Sequence, residues 1–270
     1  MEKCRELAKR IRIDSVRMTN NGQSGHLGSM LSMAELIAVL YEKILNVDAQ
    51  NPDSPDRDRF ILSKGHAGAA VYSALSNKGF FPKEWLMTYY RDDGKLMGHI
   101  SHKVPGVEFS TGSLGHGLPV AAGMAIAARY ARSERRVFCL ASDGDMNEGS
   151  TWEAIMFAAQ QHLQNLTLII DYNRVQALGM SEEVIDLRDL KTKLENFGWA
   201  VREIDGHDCG AIYGVLEAVP FGASRPSAVI AYTTKCKGIP ELENTVRSHY
   251  GFIPNEKLNE VIALMEETRI

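Results

Sequence analysis

Cysteine is scarce in this chain of 270 residues: four, at positions 4, 139, 209 and 236, with no C-x-x-C pair. That spacing indicates neither a zinc site nor a disulfide framework. A dominant charge sign is also missing, since 30 Lys and Arg face 34 Asp and Glu for a net charge of −4. Without a basic excess there is no sign of a nucleic-acid or membrane-surface binder. Long apolar runs are absent too. The most apolar stretch, 118–128, is too short to span a bilayer and is interrupted by Gly123. The N-terminus, Met1-Glu2-Lys3-Cys4-Arg5, lacks an apolar signal region, so a cytoplasmic location is expected. Internal repeats and low-complexity tracts are missing as well. What remains is an ordinary globular composition, 44% hydrophobic and 24% charged, with enough chain for a sizeable core.

One feature is less ordinary. Five of the eight histidines directly follow glycine: His26, His66, His99, His116 and His207. Glycine permits tight turns and close backbone approach, so each pair can set a titratable ring at a turn. Any single pair is also compatible with a surface histidine in a loop.

Apolar periodicity predicts helices in the first third, around Leu7, Ile11 and Val16, then over 33–45 and 67–76. A polar loop at 51–58 precedes a short strand or turn at 59–63. Residues 91–117 are rich in Gly, Ser, His and Pro without a period, and a long loop of that kind is usually functional. Beyond it, strands at 137–141, 166–170, 200–204 and 228–232 alternate with helices at 118–130, 150–162, 187–197 and 211–219. Ser150 and Glu153 have the spacing of a capping box. A further helix begins near Pro254. The alternation predicts an α/β fold, a doubly wound, mostly parallel sheet flanked by helices, as one domain over 1–270.

Ligands of such sheets bind beyond the carboxyl ends of the strands. One predicted strand runs into Ser142-Asp143-Gly144-Asp145 and another into Asp171-Tyr172-Asn173-Arg174. If these strands are neighbours, Asp143 and Asn173 project from adjacent tips. Carboxylate, amide and backbone oxygens suit a hard cation such as Mg2+. Gly144 would let a phosphate approach the backbone. An isolated Asp-Gly pair would be no more than a strand-to-helix turn.

Asp143-Gly144, followed about thirty residues later by Asn173, resembles the thiamin diphosphate fingerprint. The resemblance extends along nearly the whole chain to the N-terminal half of transketolase. Ser24-Gly25-His26-Leu27-Gly28, Asp58 through Ala67, Gly98-His99, Pro105 through Glu108, Thr111 through Gly115, and Glu243 through His249 are similar to that family's successive motifs.

This resemblance implies thiamin diphosphate and Mg2+, replaceable by Ca2+ or Mn2+, with Asp143, Asn173 and the Val175 carbonyl as metal ligands. It implies that His66, Gly144 and His249 lie along the diphosphate and that Gly112 and Leu114 pack near the aminopyrimidine. Glu148 and Glu153 match acids between cofactor sites. His26, His66, His99 and His249 match histidines around the thiazolium carbon, where substrate oxygens exchange protons. His102, His162 and His207 match no motif and are assigned to the surface or to structure. The implied reaction moves a two-carbon ketol unit from a ketose phosphate to an aldose.

Departures from the pattern fall at Ser142, in place of the fingerprint's first glycine, at Leu27, at His116 and at Cys236. They bear on the substrate more than on the cofactor and leave room for an aminated, sulfonated or branched sugar phosphate. The resemblance also implies that the pyrimidine-binding and C-terminal domains sit on a separate C-terminal transketolase subunit. The expected assembly is a heterotetramer, with a homodimer as the form of the isolated chain. Two other readings remain open on the sequence: a component of a thiamin diphosphate enzyme that acts on a 2-oxo acid, and a non-catalytic module that kept the fold.

Overall fold

The computed structural model describes residues 1–267. In chain order its elements are α1 (Glu2–Gly22), α2 (Leu27–Ser32), α3 (Ala34–Val39), β1 (Arg59–Leu62), α4 (Gly68–Asn77), α5 (Gly117–Tyr130), β2 (Val137–Ser142), α6 (Gly149–Gln160) and β3 (Leu166–Tyr172). There follow α7 (Ser181–Val184), α8 (Leu190–Asn196), β4 (Ala200–Asp205), α9 (Cys209–Glu217), β5 (Ser227–Tyr232), α10 (Arg247–Tyr250) and α11 (Asn255–Glu267). The five strands form one sheet in the order β1-β2-β3-β5-β4. Every pairing is parallel, where the sequence suggested a mostly parallel sheet.

Alternation along the strands feeds two cores, because successive side chains leave opposite faces. Phe60, Leu62, Phe138, Leu140, Ile169 and Val229 pack with α1, α3, α4 and α9. Ile61, Cys139, Leu168, Ile170 and Ile230 pack with α5, α6 and α8. Burial on both faces explains why these strands read as continuous apolar runs. A third cluster joins α1 and α2 to the 236–265 segment through Val16, Leu27, Cys236, Ile253 and Met265. All four cysteines are free and buried, and among the described residues no helix is long and apolar enough to cross a membrane.

Three local expectations are corrected. The helix expected over 33–45 is α3 followed by one wide turn with i to i+5 bonding over Leu40–Ile44. The helix expected over 187–197 begins only at Leu190, where the Asp189 carboxylate caps it by accepting from Thr192 N–H at 3.0 Å. The Ser150–Glu153 capping box does not form. Glu148 is the N-cap of α6, and Ser150 Oγ instead donates to Gly115 O at 2.9 Å. That hydrogen bond fastens the 111–116 loop to α6, so tertiary contact took the hydroxyl from the helix end.

Candidate active site

The polar residues converge beyond the carboxyl ends of β1, β2, β3 and β5. Because β2 and β3 are neighbours with Ser142 opposite Asp171, Asp143 and Asn173 do stand on adjacent tips. Both are buried. Asp143 accepts from Ser181 Oγ at 2.5 Å and from Gly144 N–H at 2.9 Å. Asn173 Oδ1 accepts from Val175 N–H at 3.1 Å. The Val175 carbonyl accepts from Lys235 Nζ at 2.5 Å, and the same ammonium lies 3.1 Å from His249 Nδ1.

Charge at these tips is unevenly compensated. Burial pushes the Asp143 carboxyl up, and the hydrogen bond from Ser181 only partly offsets it. Asp171 is also buried, but Lys64 and hydrogen bonds from Ser32 and Thr233 outweigh desolvation and hold it below the ordinary carboxylate range. Burial, with help from Lys64, pulls the Lys235 ammonium down to about 8. Among the described residues no three His, Cys, Asp or Glu side chains gather as a metal set. Any metal centre here would rest on one carboxylate, one amide oxygen and one backbone carbonyl. Those are hard donors, and a buried carboxyl short of positive charge stands among them, so the residues fit a divalent cation.

Four of the histidines meet. The His26 ring lies 4.9 Å from His66, 4.9 Å from His249 and 6.1 Å from His99, centroid to centroid. His26 has a left-handed backbone (φ 70°), a conformation disfavoured for a side-chain-bearing residue, and its N–H donates to His249 O at 2.6 Å. Strain of this kind concentrates at functional sites. Its Nδ1 is buried without a hydrogen-bond partner. Burial lowers His26, His66 and His249, the last to about 3, with Lys235 adding to the effect on His249. The three rings are therefore neutral near pH 7.

Gly112 lies against this group, since a Cβ there would come within 3.0 Å of the His99 ring. Leu114 packs over Gly144, on the same side as the turn after β2. Glu148 and Glu153 are exposed, as is His116. Exposed His102 bonds to Ser110, and His162 to Ser224 O, so neither joins the cluster. Ser142 is buried, and its hydroxyl engages the Asp145 carboxylate at 2.9 Å. Asp145 also accepts from Ser63 Oγ and Gly115 N–H, tying the turns after β1 and β2 to the 111–116 loop.

Sequence reasoning gave no role to Lys64, Asp145, Asp171, Ser181 or Lys235. Lys64 lies inside the 58–67 motif, and Asp171 ends an apolar strand, the one local signal that a charge is held at the tip. Their partners come from distant parts of the chain, at positions 29, 32 and 233.

Comparisons with known proteins identify the family. The family described as "Transketolase, thiamine diphosphate binding domain" matches residues 3–263. The chain is 42% identical to one of the subunits of the apulose-4-phosphate transketolase of Actinobacillus succinogenes, over 97% of this chain and 94% of that protein. It is 37% identical to the 6-deoxy-6-sulfo-D-fructose transketolase subunit SqwG of a Clostridium species, over 90% and 89% respectively. The crystal structure of Campylobacter jejuni transketolase superposes with a TM-score of 0.91 at 33% identity. That match covers all of this chain but only 43% of the Campylobacter chain. The chain thus belongs to the transketolase family, as a thiamin diphosphate-binding domain.

Proposed function

We propose that the chain is the N-terminal subunit of a split transketolase, moving a two-carbon ketol unit from a ketose phosphate, or a closely related sugar, to an aldose acceptor. The observation that carries this reading is the meeting of His26, His66, His99 and His249 beside the Asp143–Asn173 tip. Asp143, Asn173 and the Val175 carbonyl would hold Mg2+, with Ca2+ or Mn2+ able to replace it. His66, Gly144 and His249 would border the diphosphate, and Gly112 and Leu114 the aminopyrimidine. When bound, thiamin diphosphate supplies a carbon nucleophile for the substrate carbonyl.

The chain's own part is positioning and proton traffic. Neutral imidazoles would hydrogen-bond the substrate hydroxyls and carbonyl oxygen and pass protons between them, with the strongly lowered His66 and His249 serving as hydrogen-bond partners rather than as bases. His26 is suited to the first contact, because its buried Nδ1 has no protein partner. His66 follows the turn that Ser63 ties to Asp145, His26 N–H is bonded to His249 O, and the His99 carbonyl accepts from Tyr72 OH. The rings are thus held before substrate arrives, which lowers the orientation cost of the reaction.

Residues 1–270 would act as one diphosphate-binding unit in the cytoplasm, and a C-terminal subunit would bring the pyrimidine-binding domain. The Actinobacillus and Clostridium relatives are each named as one subunit of their transketolases, which supports such a partner. Exposed Glu148 and Glu153 would then lie at subunit contacts in a two-fold heterotetramer. The test is ketol transfer with thiamin diphosphate and Mg2+ across a panel of ketose phosphates, with and without the C-terminal subunit. Activity only in the mixture is expected, and full activity of this chain alone overturns the split-subunit reading.

A further inference from the structure

His207 matches no motif, yet its contacts are more ordered than those of a loop histidine. It sits between β4 and α9, where its own N–H donates to Asp205 Oδ1 at 2.8 Å. Gly206 brings it there. A Cβ on that residue would collide with the Thr233 side chain, and the Gly206 N–H donates to Tyr232 O at 2.8 Å. The turn is thereby pressed against the end of β5.

The imidazole is bonded at both nitrogens. Nε2 lies 2.8 Å from the Thr234 amide nitrogen, and because an amide N–H can only donate, Nε2 must be the bare acceptor. Nδ1 therefore carries the proton in the neutral ring, and it lies 3.0 Å from Glu35 Oε2. Glu35 is fully committed on its other side. Arg12 grips it through two nitrogens, at 2.5 and 2.7 Å, with both side chains buried. Burial alone would raise the Glu35 carboxyl, but Arg12 and His207 together hold it at about 2. Arg12 Nε then donates to Lys237 O at 3.1 Å.

The chain of contacts begins and ends on one short segment. His207 holds Thr234, and Arg12 holds Lys237. Between them Cys236 adopts a left-handed backbone, φ 60°, which needs external support. Lys235 lies in the same span, with its ammonium on Val175 O and beside His249. We propose that Arg12, Glu35 and His207 form a clamp that fixes residues 234–237 and so places Lys235 in the cofactor site. His207 is then a positioning residue, without direct contact with cofactor or substrate. The inference rests on the reading of the site as a thiamin diphosphate site.

His207→Leu removes both hydrogen bonds, and His207→Gln keeps one acceptor and one donor in a planar group. In the Leu variant, amide hydrogen exchange should accelerate at least tenfold at 234–237 while the sheet stays protected. Its affinity for thiamin diphosphate with Mg2+, measured by calorimetry well below the melting temperature, should fall at least tenfold. The Gln variant should recover most of both. Unchanged exchange at 234–237, or faster exchange with unchanged affinity, overturns the clamp. Should the Leu variant fail to fold, nitrogen NMR of the unaltered protein decides: a proton on Nδ1 supports the clamp, and one on Nε2 overturns it. Neither the NMR nor the exchange measurement needs cofactor. A wild-type chain that binds no thiamin diphosphate, even with its C-terminal partner, would refute the cofactor reading separately, and the exchange result alone would then decide whether 234–237 is clamped.

Discussion

The tips of β2 and β3 each carry a buried carboxyl, and the two are treated in opposite ways. Asp171, on β3, receives the Lys64 ammonium, two hydroxyls from Ser32 and Thr233, and the Asn173 amide. Asp143, just past β2, receives one hydroxyl and one backbone N–H. Burial is nearly equal, so compensation makes the difference: Asp171 is held low and Asp143 is raised. A carboxyl saturated by protein donors fastens chain segments together. One left short of positive charge is available to a ligand. Scaffold and site stand on neighbouring strands, and polar satisfaction tells them apart.

The largest expected effect comes from breaking the saturated side. Asp171→Asn leaves the Lys64 ammonium buried without its counter-charge, and loss of one partner of a buried pair costs about 3–5 kcal/mol. Urea unfolding should show that loss. The double variant Lys64→Met, Asp171→Leu should recover much of it, because no orphaned charge is then left behind. If Asp171→Asn unfolds like wild type, this tip is not the scaffold element described.

Asp143→Asn should separate binding from stability. The amide fits the same contacts with Ser181 and Gly144, so unfolding should shift by less than about 1 kcal/mol. Cofactor affinity in Mg2+ should fall at least about a hundredfold, near 2.8 kcal/mol. A variant that binds cofactor normally would remove Asp143 from the metal site.

Acid titration without metal sharpens the contrast at a smaller scale. Asp171 has a lowered folded value, so its contribution is complete above the ordinary value of 3.8 and is lost as pH falls from there through the folded value. Asp143 has a raised folded value, so the folded state holds its proton more tightly than the unfolded chain does. Wild-type stability therefore loses ground as pH rises from 3.8 through that raised value. Against wild type, Asp143→Asn should gain stability over that rise and then level off. A flat difference across the range would show that Asp143 is as well compensated as its neighbour.

Much of this arrangement was legible in the sequence. Three of the four later strands, at 137–141, 166–170 and 228–232, declared themselves as apolar runs, and the adjacency of the first two turned Asp143 and Asn173 into neighbours. The Gly-His pairs that gather at the site (His26, His66, His99) were readable because their motifs are contiguous. Lys64–Asp171 was not, because the pair is separated by 107 residues and only folding brings it together. The same holds for Arg12, Glu35 and His207, three residues with no common local pattern. Ser150 misled because helix-start spacing is a local signal, whereas Gly115 O reaches its hydroxyl through tertiary contact. Short-range rules placed the elements, and long-range polar pairing fixed how their tips were wired.

The smallest effect belongs to Ser142, which stands where the family's fingerprint has glycine. Its position before Gly144 suggests crowding of a phosphate, yet the structure turns its hydroxyl toward Asp145, donating at 2.9 Å and accepting from the Asp145 N–H at 3.2 Å. Ser142→Gly should therefore act on the scaffold. Two local hydrogen bonds go, while Asp145 keeps Ser63 Oγ, Gly115 N–H and the backbone N–H at 142. The cost should be about 1 kcal/mol in unfolding, the scale of one net hydrogen bond. Cofactor affinity should change by less than about twofold, or 0.4 kcal/mol. A gain of tenfold would mean that the hydroxyl faces the ligand when the site is filled, and Ser142 would then belong with Asp143 on the binding side of the comparison.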